Sequence, residues 1–316
     1  GGGIYIYGPQ LEEGTTASDF VANTTGSPKF LSSAVYSDRV PMILVEPSAT
    51  NLVKYSENFS ENYWGKQNVT VSAAPVAAPD GSMTATHVVK GTSEGHLVRS
   101  QIVTNGSDTI SIWARTVSGS GTVFFNYHSG TPSTVTDEWQ RFEVTANAAH
   151  VYAVNFRGSS TLDELYIWGV QAETGSVATS YIPTSGSTVT RAADDLVISG
   201  SAFSGFFNSG GDGTFYAEFI TRTITEAQVY VLAGHSSVHR YLYSNLFQSN
   251  LNSYDGSTGS ISTGNLQNTL NRASISYDSN SRKGSLNGST DLNSSGSGDL
   301  RDSSRLSIGQ SWSDQN

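Results

Sequence analysis

Thr109-Ile110-Ser111-Ile112-Trp113-Ala114-Arg115 is the stretch that decides the fold class. Its side chains split with period two: Ile110, Ile112 and Ala114 on one face, Ser111, Trp113 and Arg115 on the other. A helix would scatter both sets around its axis; an extended strand segregates them. Working outward, the same short, β-branched and aromatic texture recurs in Val69–Ser72, Val123–His128, Arg141–Thr145 and Val151–Phe156. Turn clusters stand between these runs: Pro79-Asp80-Gly81, Asn105-Gly106 and Ser118-Gly119-Ser120-Gly121. No window sustains apolar residues at i, i+3, i+4 and i+7. The pattern predicts an all-β protein of tandem antiparallel β-sandwich, or jelly-roll, domains.

At 316 residues the chain exceeds one ordinary core and calls for more than one domain. Its 17 Lys+Arg against 27 Asp+Glu give a formal charge of −10, with no basic stripe, which disfavours nucleic acid and anionic membrane as partners. The absence of cysteine excludes disulfide frameworks and thiolate metal sites. No apolar run approaches the roughly 18–20 residues of a membrane span, so membrane insertion is not expected.

One internal repeat organises the chain. Ile4-Tyr-Ile-Tyr-Gly-Pro-Gln-Leu-Glu-Glu-Gly-Thr-Thr-Ala-Ser-Asp-Phe20 matches Leu165-Tyr-Ile-Trp-Gly-Val-Gln-Ala-Glu-Thr-Gly-Ser-Val-Ala-Thr-Ser-Tyr181 at an offset of 161. That offset is a domain period, not a solenoid period. The expected layout is therefore the terminal strand and exit loop of a preceding domain at 1–27 and a connector at 28–50. A complete jelly roll follows at 51–184, a linker at 185–195, and a second sandwich at 196–316. Strand-like residues appear at once at Ile4 and again near the end at Arg305–Gly309, so the sequence reads as cut at both ends.

Several of these segments carry a further pattern. Met42–Val71 (MILVEPSATNLVKYSENFSENYWGKQNVTV), Ala78–Val89 (APDGSMTATHVV) and Leu165–Leu196 (LYIWGVQAETG…SYIPTSGSTVTRAADDL) frame the central domain. Together they resemble the connector, turn and exit signatures found in phage tail fibre and spike proteins. The resemblance implies a carbohydrate-binding-module-like jelly roll. Gly213–Ile220, Asn271–Ser289 and Arg305–Trp312 are similar to a concanavalin A-like or laminin G-like sandwich, whose strands beyond the last of these motifs are missing here. In that family the Tyr277-Asp278…Asn287-Gly288 segment is a hairpin ending in an Asn-Gly turn. What the resemblance implies for partners is host-surface polysaccharide, copies of the same chain as a homo-oligomer (usually a trimer) and other virion proteins. The implied location is the virion surface, outside the cell.

Catalytic signals are weak. Glycan hydrolysis needs two carboxylates facing each other across a cleft. Asp137-Glu138, Asp163-Glu164 and Asp194-Asp195 are adjacent doublets whose members point to opposite faces of a strand. No HExxH, P-loop or dinucleotide fingerprint occurs. The expectation is a protein that is not an enzyme. Among the six histidines only His235 and His239 are close, in a loop entering a strand, where surface or packing roles fit better than a metal. No cofactor is expected. Jelly-roll carbohydrate modules often hold a structural calcium, and Gly211-Asp212-Gly213 and Asp278-Ser-Asn-Ser281 have suitable composition, but they read equally well as plain turns.

Aromatic residues are the better lead. Four of the five tryptophans, Trp64, Trp113, Trp139 and Trp168, fall in the central domain. Sugar rings present apolar C–H faces that stack on exposed aromatics edged by polar groups. If Ile110, Ile112 and Ala114 face the core, Trp113 and Arg115 look outward. The strand Val123–His128 likewise offers Tyr127 or His128. The candidate glycan-binding residues are Trp113, Arg115, Tyr127, His128 and Trp64. Core packing competes at each, since large rings are mostly buried: Trp139 and Trp168 suit strand-end packing, and Trp64 can close the sandwich end. The negative charge disfavours a polyanionic glycan unless Arg99, Arg115 or Arg157 overrides it locally. The expected function is non-catalytic binding of host-surface glycans by a virion fibre or spike component. A purely structural spacer or head decoration and the accessory binding part of a glycan depolymerase are the alternatives.

Overall fold

The computed structural model describes residues 4–7, 42–100, 108–127, 130–145, 150–205, 207, 213–221, 229–235, 239–245, 250–254, 261–263, 270–277, 281–288, 292–295 and 305–308. In chain order the strands begin with β1 (Ile4–Tyr7) and β2 (Met42–Val45). Next come β3 (Ala49–Asn51), β4 (Gly65–Gln67), β5 (Val69–Ala73), β6 (Thr86–Lys90), β7 (His96–Ser100) and β8 (Asp108–Arg115). They continue with β9 (Ser120–Val123), β10 (Ser133–Thr136), β11 (Gln140–Thr145), β12 (His150–Asn155), β13 (Glu164–Thr174) and β14 (Val189–Arg191). After β15 (Leu196–Ser199) a single helical turn, α1 (Gly200–Ser204), precedes β16 (Gly213–Thr221), β17 (Val229–His235), β18 (His239–Asn245) and β19 (Asn250–Tyr254). The last are β20 (Ile261–Thr263), β21 (Asn271–Tyr277), β22 (Ser281–Leu286), β23 (Leu292–Ser295) and β24 (Arg305–Ile308). The protein is all-β, and every pairing among the described strands is antiparallel.

The strands form two compact units. One is Ser48–Ala192; the other joins Gly2–Pro47 to Ala193–Asn316. In the first unit a five-stranded sheet, ordered β11-β8-β13-β6-β5, packs against a three-stranded sheet, β12-β7-β4, and a two-stranded one, β10-β9. One core joins them: Val88, Ile110, Ile112, Ala114, Leu165 and Ile167 from the first meet Leu97, Val151, Ala153 and Val154 from the second, all fully buried. The alternation read along β8 is thus realised, with Ile110, Ile112 and Ala114 facing inward. Entering and leaving segments run side by side, β3 pairing with β14 and Ser48 Oγ donating to the Arg191 carbonyl.

A bulge in β13 shapes the unit's outer face. Leu165 and Ile167 point into the core, and period two would continue with Gly169 and Gln171. Instead the register slips between Trp168 and Gln171, where Gly169 adopts φ +62°. The extra residue reverses the parity, so Val170 and Ala172 turn inward and Gln171 and Glu173 turn outward. The chain then folds back over these two polar residues as a strap. Gln171 Oε1 accepts the Ile182 N–H at 2.7 Å, and Glu173 accepts the Thr179 N–H at 2.9 Å and hydroxyl at 2.5 Å. Asn51, fully buried, donates to the Val170 and Ile182 carbonyls and accepts the Val53 and Ala172 N–H groups. A buried polar group costs free energy unless satisfied, and all three side chains are satisfied by holding the strap down.

The second unit holds two six-stranded sheets, β2-β1-β16-β21-β22-β23 and β15-β24-β17-β18-β19-β20. The first repeat copy, read from sequence as the end of a preceding domain, supplies β1, which lies between β2 and β16. Along β16, Ala217 and Phe219 are buried while Tyr216 is 57% exposed. Asn287 (φ +53°) and Gly288 (φ +79°) form the turn after β22, with Asn287 Oδ1 accepting the Arg272 N–H. Among the described residues no helix is long and apolar enough to cross a membrane.

Candidate functional site

Trp64, expected as a ring platform, is 2% exposed and packs edge-on to Tyr63 and against Phe59, its indole N–H donating to the Tyr55 carbonyl. This corrects the expectation: the ring closes the core and offers no face to a ligand. Trp113 and Arg115 do lie on the outer face of the five-stranded sheet, but that face is covered. Trp113 is half-buried in a second cluster with Tyr166, Trp168, Trp139 and Tyr181, capped by Ala74, Ala78 and Ala85. Arg115 is also half-buried, opposite Tyr166 in register. Tyr127 is 46% exposed, edge-on to Tyr152, which itself meets His96 and His150. His128 lies outside the described residues, as do the side chain of Arg99 and the Asp212 and Asp278–Asn280 calcium candidates. Of the described candidates, Trp113 and Arg115 share the outer face of the sheet, Trp64 lies in the core, and Tyr127 packs on Tyr152.

What the fold does assemble is a cleft of about 560 Å³ beside the edge strand β5. Val71, Ser72 and Ala73 contribute from β5, and Met83, Thr84, Ala85 and Thr86 from the approach to and start of β6. Glu57, Asn58 and Ser60 form one further wall, Pro183, Thr184 and Ser185 another. Six hydroxyl side chains, Asn58 and Glu57 share the described lining with apolar Val71, Ala73, Met83, Ala85 and Pro183, and Met83 is 64% exposed.

Each wall is held by side chains behind it. The Lys66 ammonium donates to the carbonyls of Ser60 (3.2 Å), Glu61 (2.8 Å) and Trp64 (3.2 Å), bracing the loop that carries Glu57 and Asn58. Burial pulls the Lys66 pKa below its ordinary value, partly opposed by Glu61. Asn58 adds bonds to the Glu61 carboxylate and the Ser60 N–H. Thr184 docks through its N–H to Ser56 Oγ at 2.8 Å. Glu57 itself is gripped from both sides: Oε2 accepts the Thr84 hydroxyl at 2.8 Å, and Oε1 accepts the Tyr181 phenol at 2.9 Å. Thr84 Oγ1 in turn accepts the Trp168 indole N–H at 2.8 Å. The tryptophan and tyrosine cluster, with Trp168 and Tyr166 buried and Tyr181 half-buried, thus serves as the backing of the cleft.

None of the motif residues that suggested catalysis enters the cleft. Asp163 pairs with Lys90, and Glu164 lies 2.8 Å from His87 Nε2. Asp194 accepts the Glu46 N–H at 3.0 Å. His235 and His239 stand opposite each other across β17 and β18. Sequence reading passed over Gly91-Thr92-Ser93-Glu94-Gly95, which has the spacing of a nucleophile elbow; a strand and not a helix follows it. There Ser93 accepts the Asn68 side-chain amide, and a Cβ on Gly91 or Gly95 would strike Asn68. Among the described residues no cluster of three His, Asp or Glu side chains could hold a metal ion.

Sequence reasoning overlooked Glu57, Thr84 and the hydroxyls around them. The available signal was their place in the YSENF and PDGSMTATH segments, whose Ser, Thr and Asn content reads as ordinary turn chemistry. No protein-family model matches the chain, and no curated protein matches it.

Proposed function

We propose that Ser48–Ala192 is a non-catalytic glycan-binding module, and that the cleft beside β5 is its binding site. The observation that carries this reading is the cleft itself: concave, open to solvent, with hydroxyls, an amide and one fixed carboxylate interspersed among a comparable share of apolar surface. Such a surface suits a ligand that offers many hydroxyls and modest apolar faces. Glu57 is the only carboxylate among the described lining residues, whereas glycoside hydrolysis requires a facing pair. Binding without chemistry is what the arrangement supports. The resemblance of the flanking motifs to fibre and spike proteins extends the reading to a surface component that carries such modules to host glycans. Several copies held together would raise avidity for a weak single site.

The test is a glycan-array and calorimetric comparison of the full chain with an Ala73→Trp variant. Ala73 is exposed on the cleft side of an edge strand, so an indole there fills the space in front of the Pro183–Ser185 wall. Binding to at least one neutral oligosaccharide by the wild type, lost in Ala73→Trp at unchanged unfolding midpoint, supports the site. Equal binding by both proteins, or none by the wild type, overturns it.

A further inference from the structure

Glu57 is arranged so that its charge is held rigidly while part of its accepting capacity stays open. A carboxylate can only accept, and its two oxygens offer about four lone-pair positions. Thr84 and Tyr181 occupy one on each oxygen. Both donors are neutral. Burial, together with the neighbouring Glu57 charge, raises the Tyr181 pKa and keeps the phenol protonated. The Thr84 proton is committed as well. The carboxylate can only accept, so the Thr84 hydroxyl hydrogen goes to Glu57, while the Thr84 oxygen accepts the Trp168 N–H and lies 2.7 Å from Ser82 Oγ. Among the described residues no Lys, Arg or His lines the cleft. The carboxylate charge is therefore oriented but not neutralised by a cation in the site, with one accepting position left on each oxygen.

We infer that Glu57 is the specificity-determining residue of the cleft, selecting sugars that donate two hydrogen bonds from adjacent carbons, a vicinal diol or a vicinal amino alcohol, and rejecting acidic sugars. This inference rests on the glycan-binding reading above. Two adjacent hydroxyls on a pyranose present their hydrogens at a spacing that a carboxylate can bridge, and a charged acceptor forms stronger bonds than a neutral one. An ammonium in place of one hydroxyl gains from the uncompensated charge. A uronate or sulfate brings a like charge against Glu57 with no cation among the lining residues to offset it, and like-charge juxtaposition is strongly discriminating.

The experiment is calorimetric titration of the full chain with three oligosaccharides of equal length: a neutral glucan, a glucosamine oligomer and a galacturonate oligomer. Wild type, Glu57→Gln and Ala73→Trp are compared, each checked by urea unfolding. The expected order for wild type is glucosamine oligomer, then neutral, with the galacturonate at least about tenfold weaker than neutral. Adding salt narrows the spread. Glu57→Gln, close to isosteric, is expected to abolish the preference for the amine and to shrink the penalty on the acid. Galacturonate binding as tight as neutral glucan, or the same ranking retained by Glu57→Gln, overturns the inference. Its failure is separable from failure of the site: binding that Ala73→Trp abolishes but Glu57→Gln does not re-rank refutes only the role of Glu57. Binding that survives Ala73→Trp, or no binding of any oligosaccharide, refutes the cleft and Glu57 together.

Discussion

Replacing Gly169 by alanine tests the link between the β13 bulge and the cleft. Two costs separate cleanly. A left-handed φ of +62° costs a non-glycine residue about 1–2 kcal/mol. The added methyl would also stand 3.2 Å and 3.3 Å from Cε2 and Cζ of Tyr181, and 3.5 Å from Cδ1 of Trp113. That ring cannot retreat freely, because its hydroxyl is held 2.7 Å from Ser56 Oγ and 2.9 Å from Glu57 Oε1. Overpacking of this kind costs about 1–3 kcal/mol, for a total of about 2–5 kcal/mol. Gly119 supplies the control, with φ +66° and nothing within 4 Å of an added methyl. Gly119→Ala should show the backbone cost alone, about 1–2 kcal/mol. Urea unfolding of the full chain, followed by tryptophan fluorescence, measures both, since four of the five tryptophans lie in Ser48–Ala192. Equal destabilisation by the two variants, within about 0.5 kcal/mol, refutes the argument that Tyr181 is wedged over Gly169.

Two further predictions concern pH. The raised Tyr181 pKa means the folded chain keeps a proton that the unfolded chain releases above its ordinary value of 10.0, so this contribution is present below that pH and is lost as pH rises. Tyr181→Phe should flatten the fall of the urea midpoint between about pH 9 and pH 11; an unchanged slope contradicts the assignment. Glu218 behaves in the opposite sense. Partial burial pushes its carboxyl up, but hydrogen bonds from Tyr216 and Arg272, with the Arg272 charge, outweigh this and hold it below the ordinary 4.5. Its stabilisation is complete above that value and is lost as pH falls through the depressed one. The melting temperature advantage of wild type over Glu218→Gln should therefore shrink on acidification from about pH 6 to about pH 3; a constant gap rules this out.

Local pattern made the architecture readable. Ile110, Ile112 and Ala114 announce a strand and its buried face because the extended backbone enforces period two, whatever lies elsewhere in the chain. The turn signals at Pro79-Asp80-Gly81 and Asn287-Gly288 work in the same way, since their dihedral demands are local. Exposure of the opposite face was not readable from the same strand. Trp113 lies outward, as alternation requires, yet it is covered by Tyr181, 68 residues further along. That covering depends on the parity reversal at Gly169 and on Gln171, Glu173 and Asn51 folding the strap back. Trp64 shows the same limit, its burial being decided by Phe59, Tyr63 and the long-range core.

Residue types and periodicities in the sequence by themselves determined an all-β protein with a repeated segment, an acidic character and no thiol chemistry. Only the tertiary structure decided where a ligand could sit. The cleft draws on four segments, around Glu57, Ser72, Thr84 and Thr184, which are separated by up to about 130 residues of chain. Each is an unremarkable run of small polar residues, and their chemistry emerges only when sheet pairing and the strap bring them within hydrogen-bonding distance. A hydrogen bond acts over about 3 Å of space and is indifferent to sequence separation, so it leaves no local trace for a sequence reading to find.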